Sequence, residues 1–366
     1  RNRNKKNPVS LKIESKKQDI RNLSRKDLAA FFEAHAEKSF RANQVYDWLW
    51  KKNVANFTEM TNLSMSLRRF LDEHFYINKL FVAEKQVSED RTIKSAFQLM
   101  DKKVVEGVLI PTSNRMTACI SSQVGCSLSC KFCATGSLKR MRNLEPSEIY
   151  DQVVCIKNQA LEHYGQNLSN IVLMGMGEPL LNYKNVMEGI RMITSEDGLG
   201  MSPKRITLST AGIAKMICQL ADDSARFNLA LSLHAANDDK RNEIMPINES
   251  NSLSELAESL KYFYQKTRTR ITYEYIIFRD FNDELKDAAE LANFCKHVPC
   301  KVNIIEYNPI EAGDFHQASR SKVDAFAQYL EDKNIIVNVR RSRGKDIDAA
   351  CGQLANKNDI AAPIGD

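Results

Sequence analysis

The sequence predicts an α/β protein: a partial (β/α)6 barrel preceded by a helical module and a short β extension. Three observations carry that expectation. From residue 116 onward, short apolar strands alternate with amphipathic helices, the pattern of parallel βα units. The polar residues of this region fall at the strand ends, where barrels assemble their sites. Residues 21–80 carry helical spacing with no strand pattern between the helices. The expected domains are a basic tail (1–20), a helical module (21–80), a β extension (81–115), a barrel (116–345), and a C-terminal loop and tail (346–366) carrying Cys351.

The tail holds Lys5, Lys6, Lys12, Lys16 and Lys17. It reads either as a disordered segment or as an electrostatic arm for phosphates. In the helical module, Ser24 is placed to cap a helix with Asp27 three residues on, and Leu28, Phe31 and Phe32 follow at helical spacing. A second helix is marked by Phe40, Gln44, Val45, Trp48 and Leu49. A third begins at Thr61 or Ser64, with Leu67, Phe70 and Leu71 inward and Arg68 and Arg69 outward. The module is expected to end near Phe75. Its cations Arg41, Lys51, Lys52, Arg68 and Arg69 could track a phosphate backbone, but from these residues alone a solvated helix face is the better reading.

Residues 92–99 and 104–110 read as strands joined by a turn at 101–103, and 116–122 is a third strand. Glu106 interrupts the apolar run Val104–Ile110. A carboxylate there is costly unless paired or exposed, which makes it a candidate acid/base group or an outward-facing edge residue. The βα units then follow in order. Helices are predicted at 144–162, 183–194, 213–221, 252–265, 284–295 and 319–333, the first with Pro146 in its opening turn. Strands are predicted at 170–174, 205–208, 227–231, 270–278, 301–306 and 335–341.

No run of about 18 apolar residues is present, so no membrane span is expected. The start of the chain lacks the apolar stretch of a signal peptide, and it lacks an initiator Met, which reads as a trimmed chain. Nine cysteines without a regular framework point to a reducing cytoplasm rather than a secreted disulfide scaffold. The net charge of +6 is a mild pointer to a nucleic-acid partner.

The chemistry is concentrated in Cys119-Ile-Ser-Ser-Gln-Val-Gly-Cys-Ser-Leu-Ser-Cys-Lys-Phe-Cys133. Cys126, Cys130 and Cys133 form a C-x3-C-x2-C run in Gly- and Ser-rich sequence, not on an apolar periodic face where three core cysteines would sit. Zinc would call for a fourth Cys or His at close spacing, and none follows. Iron–sulfur clusters are held by cysteine thiolates, and three of them leave one iron open. At later strand ends stand Gly175-Met-Gly-Glu178, Ser209, Ser232-Leu-His234 and Asn308. Near the end, Cys351 precedes a Gly and is flanked by Arg340, Arg341, Arg343 and Lys345, cations that suit phosphate contact and favour a thiolate.

The cysteine run, with Phe132 before its last Cys, resembles the signature of radical S-adenosylmethionine (SAM) enzymes. Together with Gly-Met-Gly-Glu-Pro-Leu-Leu-Asn182, Leu-Ser-Leu-His-Ala235 and Asp-Ile-Asp-Ala-Ala-Cys-Gly-Gln-Leu354, it resembles the RlmN/Cfr family of RNA methyltransferases. The resemblance runs from about residue 21 to 355, and the tail is closer to the adenine-C2 branch than to the C8 branch that confers antibiotic resistance.

That resemblance implies a radical SAM barrel, an RNA-binding helical module, and a [4Fe–4S] cluster on Cys126, Cys130 and Cys133. It implies SAM bound by Gly177, Glu178, Ser209, Ser232, Leu233, His234 and Asn308, with Glu178 accepting from its amino group and two SAM used per turnover. Cys351 would carry a methyl group, attach it to adenine through a radical adduct, and be released by Cys119, leaving a disulfide; Glu106 would accept the proton. The implied partners are large-subunit ribosomal RNA, certain transfer RNAs and a flavodoxin-type electron donor. The other readings are a C8 methyltransferase and a non-catalytic iron–sulfur RNA-binding protein.

Overall fold

The computed structural model of the chain describes residues 17–311 and 313–357. The tail residues Lys5, Lys6, Lys12 and Lys16, and residues 358–366 of the expected C-terminal segment, lie outside the described residues. The chain divides into two compact units, one ending at Asn78 and one starting at Lys79.

The first unit packs α1 (Arg25–Ala34), α2 (Arg41–Trp50) and α3 (Met65–His74). The foreseen capping box closes α1: Ser24 Oγ accepts from the Asp27 N–H at 3.1 Å, and the Asp27 carboxylate accepts from the Ser24 N–H at 3.3 Å. Ser64, rather than Thr61, caps α3 through the Leu67 N–H. Leu28, Phe32, Val45, Leu49, Trp50, Leu67, Leu71 and Phe75 are buried together in this unit. Arg68 departs from the outward orientation expected of it. Its guanidinium donates to the carbonyls of Leu63 (3.1 Å) and Thr58 (2.9 Å), so it ties the preceding loop to the helix.

The second unit is built on a ten-stranded sheet whose spatial order follows the sequence. Three antiparallel strands lead in: β1 (Phe81–Val87), β2 (Ile93–Gln98) and β3 (Val104–Thr112), and β4 (Arg115–Cys119) pairs antiparallel with β3. From β4 the sheet is parallel through β5 (Asn170–Leu173), β6 (Ile206–Thr210), β7 (Asn228–Ser232), β8 (Ile271–Ile277), β9 (Cys300–Glu306) and β10 (Ile336–Arg340). The crossovers carry α4 (Pro146–Tyr164), α5 (Tyr183–Thr194), α6 (Ala214–Asp222), α7 (Asp238–Ile244), α8 (Leu253–Thr267), α9 (Leu285–Phe294) and α10 (Arg320–Asp332). Pro146 stands in the first turn of α4, where its missing N–H costs nothing.

Two of these elements were not foreseen. β1 is an edge strand whose apolar ends, Phe81 and Val87, are both 54% exposed, so it carries no clean alternation. α7 spans two turns, too short for a periodic signal, and is started by the Asn237 side chain accepting from the Lys240 N–H. All seven parallel strands stand where the sequence placed them, and the last, β10, continues the sheet beside β9 in register Lys301↔Ile336. All the strand-end positions singled out in the sequence follow the C-terminal ends of this parallel set or stand in its last turn of strand.

Candidate active site

The cysteine loop leaves the end of β4 and is stitched down by its backbone. The Cys126 N–H donates to the Leu138 carbonyl (3.2 Å), Lys131 N–H to Ile244 (3.0 Å), and Cys133 N–H to Cys130 (3.2 Å). Main-chain N–H groups also point at sulfur: those of Leu128 and Ser127 at Cys126, and those of Gly136 and Thr135 at Cys133. Burial pushes the Cys126 thiol up to about 11 and raises Cys130 and Cys133 as well, with Cys133 and Cys126 adding to the rise at Cys130. Three neighbouring thiolates so desolvated need a cationic centre to ionise. No three Cys, His, Asp or Glu side chains among the described residues converge as tightly as one metal ion requires. Three mutually coupled thiols with amide N–H groups on the sulfurs fit a multi-iron cluster instead.

Behind the loop stands a buried trio that the motifs did not reveal in full. Phe132 meets the His234 ring edge to face, centroids 4.6 Å apart. His234 has φ +56° and its Nδ1 accepts from the Ile276 N–H at 3.1 Å, which leaves the proton of the neutral ring on Nε2. Burial, helped by Arg241, pushes its pKa down to about 3. Arg241, on the unforeseen α7, is fully buried. Its guanidinium donates to the carbonyls of Leu233 (3.1 Å), Ala211 (2.6 Å) and Ser232 (3.2 Å) and to Asn248 Oδ1 (2.6 Å). Burial lowers its pKa to about 10, and its charge acts on Cys130. It thereby locks the ends of β6 and β7 together behind the cluster loop.

His234 also makes the fold acid-sensitive. The unfolded chain binds this proton near pH 6.5 and the folded chain only near 3. Between those values the unfolded state holds more protons, so stability is full above 6.5 and declines as pH falls toward 3. The contribution is up to roughly 5 kcal/mol. Urea unfolding across that range should yield a steeper decline for the wild type than for His234→Asn, which cannot take up the proton.

The Gly-Met-Gly-Glu segment follows β5. Gly177 has φ +93°, and a Cβ there would lie 2.5 Å from the Gln123 Cβ. The close approach that demands glycine is therefore to the start of the cysteine loop. Glu178 is buried and its pKa is raised by burial. Oε1 accepts from the Leu180 N–H (3.0 Å) and Oε2 from the Ala211 N–H (2.7 Å). The carboxylate expected to wait for a ligand amine thus already braces the end of β6, where the Thr210 side chain bonds it as well. Ser209 Oγ lies 3.3 Å from Ser232 Oγ, and the Leu233 N–H donates to the Glu274 carbonyl (3.0 Å). Asn308 is buried; its Nδ2 donates to the Cys351 carbonyl (3.1 Å), and its Oδ1 has no hydrogen-bond partner. An orphaned buried acceptor at a strand end is what a ligand with N–H groups, such as the adenine of SAM, would satisfy.

The C-terminal segment closes the circle. Ala134 N–H donates to the Gly352 carbonyl (2.7 Å) and Thr135 Oγ1 to the Leu354 carbonyl (2.6 Å). Gly352 has φ +84°, and a Cβ there would stand 3.2 Å from the Phe132 carbonyl, so the chain passes directly over the cluster loop. Glu106 is 1% exposed, which excludes the outward-facing edge reading. Its Oε2 accepts from the N–H groups of Ala355 (2.9 Å) and Asn356 (3.0 Å), and Oε1 pairs with the buried Lys94 Nζ at 3.7 Å. The candidate acid/base group therefore anchors the very segment that bears Cys351.

Cys351 is exposed as a residue, yet its thiol is pushed up to about 12 by desolvation, with Glu274 and Cys133 adding. Cys119 is likewise raised to about 12 by burial, with Cys351 adding. The two thiols named in the sequence are thus electrostatic neighbours of each other and of the cluster loop. The thiolate expected from the basic flank is not present. Arg340 pairs with Glu274 Oε2 (3.5 Å) and Lys345 with Glu306 (2.7 Å), so burial outweighs them. The expected disulfide is absent too: all nine cysteines are free thiols. Glu274 escaped sequence reading, although it interrupts the apolar β8 just as Glu106 interrupts β3. It accepts from Asn303 Nδ2 (2.8 Å), whose Oδ1 accepts from Asn338 Nδ2 (3.2 Å), a polar rung across β8, β9 and β10.

The sequence matches the family described as Ribosomal RNA large subunit methyltransferase N-terminal domain over residues 18–77 and the Radical SAM superfamily over residues 120–292. It is 62% identical over 344 residues to the probable dual-specificity RNA methyltransferase RlmN of Cytophaga hutchinsonii, covering 94% of each chain. The corresponding protein of Salinibacter ruber is 44% identical, over 94% of this chain and 95% of that one. Among solved structures, a radical SAM methyltransferase from Sphaerobacter thermophilus superimposes with a TM-score of 0.87 at 36% identity, covering 92% of this chain and 99% of that chain.

Proposed function

Because this chain belongs to the RlmN family of radical SAM RNA methyltransferases, we propose that it methylates C2 of an adenine in large-subunit (23S) ribosomal RNA and in some transfer RNAs, with Cys351 as the methyl carrier. The observation that carries this reading is the grouping of Cys351 with Cys119 and with Cys133 of the cluster loop at one end of the sheet. A [4Fe–4S] cluster on Cys126, Cys130 and Cys133, with SAM used twice per turnover, would supply the methyl group and a carbon-centred radical.

The chain's own groups do the rest. Gly177, Glu178, Ser209, Ser232, Leu233, His234 and Asn308 would bind and orient SAM, Asn308 through its unpartnered Oδ1. Cys351 must lose its proton to attack a methyl group, which burial and Glu274 oppose and a nearby cation favours. Adenine C2 is electron-poor and inert to ordinary methyl displacement, so it calls for radical attachment through the sulfur-bound carbon. Glu106 would take the proton from C2, and Cys119 would then attack Cys351, freeing the RNA and forming a disulfide that an external reductant reopens. A flavodoxin-type protein would provide the electron. The adenine has to leave its stack to reach the strand ends, which favours loop nucleotides over duplex.

The test is anaerobic reconstitution with iron and sulfide, then reaction with SAM, a reductant and fragments of ribosomal or transfer RNA, read by nucleoside mass spectrometry. 2-Methyladenosine is the expected product. 8-Methyladenosine, or no methylated adenine despite SAM cleavage, would sink the proposal.

A further inference from the structure

At the other end of the same strands lies a second pair of thiols. Cys300 is the first residue of β9 and is in register with Ile271, the first residue of β8. Cys295 stands five residues earlier, in the turn after α9. Cys300 Sγ donates to the Cys295 carbonyl at 3.6 Å, and the two thiols are electrostatic neighbours. Both line a cleft of about 540 Å³ that also takes in Arg270, Lys296, Lys333 and Tyr329. No Asp or Glu is among the described residues lining it. Lys333 Nζ sits 5.6 Å from the Tyr329 ring centroid, and Lys296 Nζ donates to Asn293 Oδ1 at 2.8 Å. Deeper in, the Tyr273 hydroxyl is fully buried, has no hydrogen-bond partner, and is an electrostatic neighbour of both sulfurs.

We propose that Cys295 and Cys300 form a redox-reactive dithiol site whose cleft takes anionic low-molecular-weight disulfides. The two sulfurs have different tasks. Cys300 is partly accessible and lines the open cleft, whereas Cys295 is 8% exposed. The Cys300 thiol is held below its usual range by the neighbouring Cys295 side chain, against the opposing effect of burial and helped by Arg270. Cys295 is correspondingly raised. Cys300 is therefore the attacking member and Cys295 the resolving one. The Tyr273 O–H is an unpartnered donor near both sulfurs, available to a thiolate.

The chemistry balances with a disulfide R–S–S–R as the oxidant. The Cys300 thiolate attacks one sulfur, forming a mixed disulfide; the S–S bond of R–S–S–R breaks, and one R–S⁻ leaves and is protonated. Cys295 then gives up its proton and attacks Cys300 Sγ, expelling the second R–S⁻. The protein has lost two electrons and two protons and holds a Cys295–Cys300 disulfide; two R–SH have formed. Three cations and no lining carboxylate select an R group that carries carboxylates.

The test compares oxidised glutathione, which is anionic, with cystamine, which is cationic, on the full chain at low ionic strength. Peptide mapping follows each cysteine separately, so reaction at Cys351 or Cys119 is not confused with reaction here. Cys300 should be lost, as a mixed disulfide or as a Cys295–Cys300 disulfide, about tenfold faster with oxidised glutathione, and salt should shrink the gap. Lys296→Glu with Lys333→Glu should erase the preference while thermal melting reports an intact fold. In Cys295→Ser the mixed disulfide should accumulate. Equal or inverted rates with the two reagents in the wild type, or Cys300 left intact while Cys351 reacts, would overturn the proposal without involving any variant.

Discussion

Cys351→Ala is expected to lower RNA methylation by roughly 10³-fold or more, the scale seen when a member of a covalent catalytic unit is removed. The physical case rests on what this residue does not do. Its thiol makes no hydrogen bond among the described residues; the segment is held by backbone groups, through Asn308 to the Cys351 carbonyl, Ala134 to the Gly352 carbonyl, and Ala355 and Asn356 to Glu106. Truncating the thiol should therefore change stability by no more than about 1 kcal/mol. Cys126, Cys130 and Cys133 are untouched, so iron content and SAM cleavage should persist in the variant. Cys351→Ser is expected to fail as well, because an unactivated hydroxyl in a desolvated pocket is a far weaker nucleophile than a thiol. Methylation within tenfold of wild type in either variant would remove Cys351 from the scheme.

Arg241→Leu should have the largest effect on the fold itself. The substitution leaves the carbonyls of Ala211, Ser232 and Leu233 and the Asn248 side chain without their Arg241 donor, and of these Ala211, Leu233 and Asn248 are buried. A buried acceptor without a partner costs about 1–3 kcal/mol, so a total loss of at least ~3 kcal/mol is expected. The urea midpoint should fall at nearly constant slope. Iron incorporation should fall in parallel, since Arg241 fixes the strand ends on which His234 and Phe132 support the cluster loop. Arg241→Lys should recover only part of the loss: an ammonium restores the charge but not a planar fork that reaches four acceptors. An Arg241→Leu protein as stable as wild type would mean that the ends of β6 and β7 hold themselves in place.

Local signals carried much of the chain. Ser24 with Asp27, Ser64, Pro146, Ser252 and Ser319 stand where the helices begin, because a cap is decided by a few adjacent residues. The parallel strands were legible as apolar runs between amphipathic helices. What escaped was short or edge-bound: α7, with two turns, and β1, with both apolar ends in solvent. Arg241 escaped with α7, since an Arg in a polar stretch gives no sign that the fold will bury it.

By itself, then, the sequence determined the architecture, the cysteine loop and the family, because these depend on periodicity and on motifs of adjacent residues. Only the tertiary structure decided how the singled-out groups are used. Glu106 and Lys94 stand 12 positions apart on neighbouring strands, and Glu106 meets Ala355 and Asn356 across nearly 250 residues. Burial, a property of the assembled fold, leaves Cys351 and Cys119 protonated, where a reading of nearby charges favoured a thiolate. The strand-end glutamate motif braces its own barrel, and the reactive pair Cys295 and Cys300 exists only because a turn folds one thiol onto the other. Desolvation and long-range pairing act on positions that sequence spacing does not relate, and there the structure had the deciding word.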